Sequence, residues 1–280
     1  MRTAVRNFAH YRAGGDGWML GRFVCPATAL EEFSHAADMF LPRDAGAIPW
    51  RLTVTGSGDA ENDRDAIAAF NTRHRVCFDE CGAIVDTYET RVDSEESIAR
   101  VSGAFDTETT LYLEIPVRSD PALLLECIGS VGRRAKVRTG GTTADAFPSP
   151  SELARFLSLC VSNGVIAKAT AGLHHALRGS HPLTYEAGAQ CATMYGFLNV
   201  FLAAALLTAG ATEIEAIAML QEGDWSNFEV NDLQVGWRGP ERAQVLDRVL
   251  LAQVRRNVLV SFGSCSFTEP VDESRSLGLL

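Results

Sequence analysis

The chain has 280 residues, with 25 Lys+Arg against 35 Asp+Glu and a formal net charge of −10. Hydrophobic residues make up 46% and charged residues 21%; this supplies a large core and excludes a disordered chain or a collagen-like or coiled-coil rod. The acidic balance excludes a general nucleic-acid binder, which needs a basic footprint to release counterions, and an anionic membrane surface as partner.

Short β-branched runs alternate with stretches at helical spacing, the pattern of a parallel sheet with crossover helices. The predicted strands are residues 23–25, 51–54, 84–89, 111–115, 135–139 and 165–170, a seventh in 228–230 or 233–237, and an eighth at 258–263. Between them, Thr28 and Glu31 form a capping-box pattern ahead of Leu30 and Phe33. The acidic residues 59–63 read as a solvated helix start. Asp120-Pro121 opens a helix carrying Leu124, Cys127, Ile128 and Val131, ended by Gly132. Ser149-Pro150-Ser151-Glu152 is a second capping box with Pro at the first helical position. That helix places Leu153, Phe156, Leu157 and Cys160 on one face and stops at Asn163-Gly164. Residues 196–211 are apolar almost all round, so a helix there is buried on several sides, as a subunit interface or an added helical layer. The stretch is short of the ~20 residues of a membrane span. Asn199 within it is expected to bond a neighbouring helix or loop, and Pro240 opens a helix with Val245, Leu246, Val249 and Leu250.

Eight strands alternating with helices imply an α/β fold, a (β/α)8 TIM-type barrel as a single domain over 1–280 with an apolar helical insertion at about 191–222. The rival, an open doubly wound sheet, would bring a glycine-rich first turn, which Pro26-Ala27-Thr28 lacks. Arg2, Arg6, His10 and Arg12 interrupt any apolar leader, so a cytoplasmic protein is expected. The seven cysteines include no CxxC pair, and three residues separate Cys77 from Cys81 with no second pair to complete a zinc site. Most are expected to be reduced core thiols. Trp18, Trp50, Trp225 and Trp237 are read as core or site walls.

In a barrel, the last inward-facing residue of each strand points into the site. Glu89, Glu114, Lys136 and Lys168 occupy those ends on the third to sixth strands. Alternation puts Glu114 with Tyr112, Lys136 with Arg138, and Lys168 with Ile166 and Thr170. Two carboxylates and two ammoniums then meet at one end. A Schiff base needs a neutral amine, and a second cation beside Lys168, Lys136 or Arg138, favours one. Glu89 or Glu114 would move protons. The plain alternative is a ring of ion pairs with no chemistry. Arg138-Thr139-Gly140-Gly141 after the fifth strand, and Gly263-Ser264 after the eighth, suit an anionic group, although a tight turn explains glycines equally. His174, His175 and Arg178 follow the sixth strand as acid or substrate-binding groups, or as loop residues that bond backbone. Cys265 is a nucleophile if a cation lowers its pKa, or else a small packing residue.

The segments YRAGGDGWMLGRFVCP from Tyr11, AKVRTGG from Ala135, AKATAGLHHALR from Ala167, GFLNVFLAA from Gly196 and SFGSCSFTEP from Ser261 resemble a family of bacterial proteins with no assigned activity. The resemblance covers most of the chain and implies no mechanism. A looser resemblance, of position alone, is to class I aldolases of barrel fold. It implies that Lys168, ending the sixth strand, is the Schiff-base lysine with Lys136 as the second lysine nearby. The expected function is therefore a lyase acting on a small anionic carbonyl compound, with no organic cofactor and as a homo-oligomer. The alternatives are a metal-dependent hydrolase or lyase using Glu89, Glu114 and His174 or His175 with a divalent ion, and a non-catalytic assembly protein docking through residues 196–211.

Overall fold

The computed structural model describes residues 1–44, 46–77 and 82–280. The Cys77/Cys81 pair reaches outside the described residues. The chain divides into two compact units, Met1–Leu113 and Glu114–Leu280.

The first unit runs α1 (Arg2–Ala13), β1 (Phe23–Pro26), α2 (Leu30–Ala37), β2 (Trp50–Thr55), α3 (Ala60–Cys77), β3 (Ala83–Arg91), α4 (Glu95–Ala104) and β4 (Thr110–Glu114), whose final residue opens the second unit. β2 pairs in parallel with both β1 and β3. Phe8, Phe23, Phe33, Trp50 and Phe70 form an aromatic core with ring centroids 4.9–6.4 Å apart. Three sequence expectations need correction here. Thr28 makes no cap, because a 3₁₀ turn at Ala27–Ala29 leads into α2 and Leu30 donates to the Ala27 carbonyl. Asp63 is not solvated: it is buried and accepts from the Ser57 backbone N–H, the Ser57 hydroxyl and the Tyr88 hydroxyl, each at 2.8 Å. Trp18 is exposed, and forms no core.

The second unit continues with α5 (Ala122–Ser130), β5 (Arg134–Arg138), α6 (Pro150–Ser162), β6 (Ala167–Thr170), the hairpin β7 (Gly179–Pro182) and β8 (Cys191–Met194), α7 (Phe197–Thr208) and α8 (Glu213–Gln221). Then come β9 (Phe228–Asn231), β10 (Gln234–Arg238), β11 (Ala243–Asp247), α9 (Arg248–Asn257), β12 (Leu259–Gly263) and α10 (Thr268–Ser276). α6 has the predicted capping box, buries the predicted face and ends at Gly164 with φ +64°. α5 is turned slightly from its predicted face: Leu125 and Ile128 are buried, and Val131 is exposed beyond its end. α7 is the added helical layer, packed against α6, α8 and α9 with Val200 and Leu202 to Leu207 buried. Residues 196–211 therefore offer no free apolar docking face.

Seven strands form the parallel sheet, in the order β1-β2-β3-β4-β5-β6-β12, so the closed eight-stranded barrel is corrected to an open parallel sheet flanked by helices. The cause lies between β6 and β12. Both candidates for the seventh strand, at β9 and β10, pair antiparallel with each other, and β10 pairs antiparallel with β11 on its other side, in a separate three-stranded sheet. Gly239-Pro240 turns β10 into β11 and opens no helix; Val245 and Leu246 lie on β11, and α9 starts at Arg248 behind the Asp247 cap. With no strand between them, β12 pairs directly with β6.

Candidate functional site

Parallel pairing sets Lys136 of β5 opposite Lys168 of β6, and Arg138 opposite Thr170. Register partners share a face of the sheet, so Lys136, Arg138, Lys168 and Thr170 lie on one side. Glu114 reaches the same side: Lys136 Nζ lies 2.9 Å from its Oε2, and Arg138 Nε donates to its Oε1 at 3.1 Å. Glu114, Lys136 and Lys168 are buried, while Arg138 is 41% exposed and opens the cluster to solvent. Burial works to raise the Glu114 carboxyl, but the Lys136 ammonium and the Arg138 guanidinium outweigh it and hold the group below the usual carboxylate range. Of the four strand-end residues expected to meet, Lys136 touches Glu114 and is in register with Lys168, and Arg138 joins them through Glu114. Glu89 belongs to the first unit, where it is buried on β3 opposite Thr55 of β2.

The loop after β6 is built under strain and clamped. Ala171 and Gly172 both take left-handed backbone, φ +65° and +74°, which costs a residue with a side chain about 1 kcal/mol. Thr139, fully buried, donates from its hydroxyl to the Ala171 carbonyl at 2.6 Å, with the Thr170 carbonyl at 3.1 Å. Further on, the Phe197 and Leu198 N–H groups at the start of α7 donate to the carbonyls of His175 and Ala176. Glu273 of α10 accepts from the Ala176 N–H at 2.6 Å and holds His175 Nδ1 at 2.5 Å.

That clamped loop meets the loop after β12. His174 Nδ1 shares a hydrogen bond with the Ser264 hydroxyl at 3.0 Å, and Cys265 Sγ lies 3.6 Å from both imidazole nitrogens. Glu269 of α10 stands 3.7 Å from His174 Nδ1 and accepts from the Tyr185 hydroxyl, which is itself 3.9 Å from Cys265 Sγ. Contact with His174 holds the Cys265 thiol below its ordinary value against the pull of burial. The same contact lifts the His174 imidazole above its ordinary value, again against burial. Cys265 and Cys191 are exposed, so neither is the core thiol expected; Cys25 and Cys160 are.

The remaining predicted residues have structural partners. Gly140 is needed for close packing, since a Cβ there would stand 2.5 Å from the Phe147 ring; one on Gly141 would meet Ala146 at 2.7 Å. Gly263 abuts the Thr170 hydroxyl. His175 stacks on His181 with centroids 3.3 Å apart. The Arg178 guanidinium lies over the Tyr195 ring and donates to the Leu220 carbonyl, and its backbone N–H donates to Asn199 Oδ1. Asn199 Nδ2 donates to the Met219 and Glu222 carbonyls, the bonding expected of it. Tyr185, Glu269 and Glu273 are not singled out by the sequence, which leaves Cys265 between a nucleophile and a packing residue. The signal was the Ser264-Cys265-Ser266 loop just ahead of a helix, but only the β6–β12 pairing places it beside His174.

Among the described residues, no three His, Cys, Asp or Glu side chains are grouped to hold a metal ion, and both Glu114 oxygens are engaged by cations. No helix among the described residues is long and apolar enough to cross a membrane. No protein-family model matches the chain, and no curated protein matches it.

Proposed function

We propose that the second unit is an enzyme acting on a small anionic carbonyl compound, a lyase of the aldolase type working through a Schiff base on Lys168. The observation that carries this reading is the register of Lys136 with Lys168, combined with the grip of Lys136 and Arg138 on Glu114. Lys136, 2.9 Å from Glu114, sets a second cation beside Lys168 on the same face of the sheet, and a neighbouring cation favours a neutral amine. Lys168 Nζ attacks the substrate carbonyl carbon, a C–N bond forms, and the carbonyl oxygen leaves as water after two proton transfers. Glu114, kept ionised by its two cations, is the base that takes protons from the carbinolamine or the adjacent carbon. Arg138, half-open to solvent, receives the substrate's phosphate or carboxylate by its free guanidinium edge.

The test is reductive trapping. The intact protein is incubated with a panel of keto acids and sugar phosphates, treated with borohydride and mapped by peptide mass spectrometry. A substrate-dependent adduct on Lys168, absent in Lys168→Met, is expected. No adduct on Lys168 across the panel, or one that moves to surface lysines, would remove the Schiff base. Among the described residues no group of three His, Cys, Asp or Glu side chains favours the metal-dependent alternative, and the docking alternative has little free surface because α7 is packed against α6, α8 and α9.

A further inference from the structure

We propose that Cys265 and His174 form a second reactive centre, independent of Lys168, in which the Cys265 thiolate accepts an acyl group from a small ester or thioester. Four groups converge where the loops after β6 and β12 meet: the Cys265 thiol, the His174 imidazole at 3.6 Å, the Glu269 carboxylate 3.7 Å from that imidazole, and the Tyr185 hydroxyl bonded to Glu269 at 2.9 Å. This is a nucleophile, a proton carrier and a group that orients the carrier. Ser264 fixes the ring by its bond to Nδ1, and Glu269 favours the imidazolium; both are positioning residues.

Two further features point to a thiolate and to a carbonyl substrate. Cys265 lies three residues ahead of α10, whose N-terminal end carries a positive partial charge that favours an anion. The backbone N–H of Cys265 donates to no protein acceptor among the described residues, so it can bind the oxygen of a carbonyl attacked by its own sulfur. The charged and titratable groups facing the pair are Glu269 and Tyr185, with His175 beyond His174 at a ring distance of 6.4 Å. The carboxylate is the nearest of them to the imidazole and supports the ion pair; His175 is held by Glu273.

The chemistry balances without a redox partner. The thiolate attacks the carbonyl carbon and forms a C–S bond. Collapse breaks the bond to the leaving alkoxide or thiolate, which takes the proton from His174. The acyl group then sits on Cys265 as a thioester. Water, deprotonated by the now neutral His174, attacks that carbonyl, releases the carboxylic acid and restores the thiolate.

Cys191, also exposed, serves as an internal reference in the test. Iodoacetamide labelling of the full chain is followed over a range of pH, site by site, by peptide mass spectrometry. The midpoint for Cys265 is expected at least about one pH unit below that for Cys191, and the gap is expected to close in His174→Gln. In parallel, p-nitrophenyl acetate is expected to give a burst of p-nitrophenolate of one equivalent per chain, with one acetyl group on Cys265 in samples quenched with acid during the burst, both lost in Cys265→Ala. Equal midpoints for the two cysteines, or a gap that persists in His174→Gln, would overturn the activated thiol. A lowered midpoint with no acetyl group on Cys265 would overturn the acyl chemistry. Labelling reads Cys265 and borohydride trapping reads Lys168, so failure of one proposal is distinguishable from failure of the other.

Discussion

Glu114 is buried with two cations on its oxygens, so its protonation state bears directly on stability. Its folded-state pKa lies below the unfolded value. It therefore stabilises the fold above the unfolded carboxylate pKa of about 4.3, and that contribution is lost as pH falls through the lower folded value. Glu114→Gln removes the negative charge that buried Lys136 meets at 2.9 Å, an effect of about 3 kcal/mol. Urea denaturation at neutral pH is expected to show that loss, and the acid-side decline in stability is expected to flatten in the variant. A variant as stable as the parent would mean that the Glu114 pair contributes nothing net. At the same scale, Thr139 and Ala171 show how the loop after β6 is held: strain at one residue is tolerated because a buried hydroxyl just past the neighbouring strand β5 bonds its carbonyl.

At the scale of the element, α7 and the loop before β7 are built as one piece. The chain passes so close at Gly196 that a Cβ there would stand 2.3 Å from both the Ala176 carbonyl oxygen and the Leu177 Cα. Both are backbone atoms and cannot swing aside. The same approach brings the His175 and Ala176 carbonyls onto the first N–H groups of α7, which have no partners within the helix. Gly196→Ala is expected to destabilise the protein by about 3 kcal/mol, the upper range for an overpacked site, read as a lowered urea midpoint. It is also expected to slow Cys265 labelling, because the loop that carries His174 shifts. If Gly196→Ala is tolerated without either change, the close approach does not hold the loop. Asn199 serves the same assembly from inside α7, tying Arg178 of the loop to the end of α8 through three hydrogen bonds.

Across the whole molecule, charge is the property with the plainest consequence. A net charge of −10 with a pI near 5.1 repels polyanions, and no counterions are released to compensate. Electrophoretic mobility of duplex DNA at physiological salt is expected to be unchanged by the protein; a discrete shifted band would contradict that. The parallel sheet leaves β1 and β12 as its outer strands, whereas a barrel would have joined them.

Seven of the eight predicted strands were legible because parallel strands, covered on both faces, are written as compact apolar runs. That Lys136 shares a face with Arg138, and Lys168 with Thr170, was legible for a related reason: period-two alternation assigns each residue to a face before any partner is known. Residues 228–247 misled because a solvated antiparallel hairpin and a sheet strand share the same local propensities, and only pairing separates them. Which strand neighbours β12 is a long-range choice that no local pattern encodes. It was made in the tertiary structure, and it alone brought Cys265 to His174.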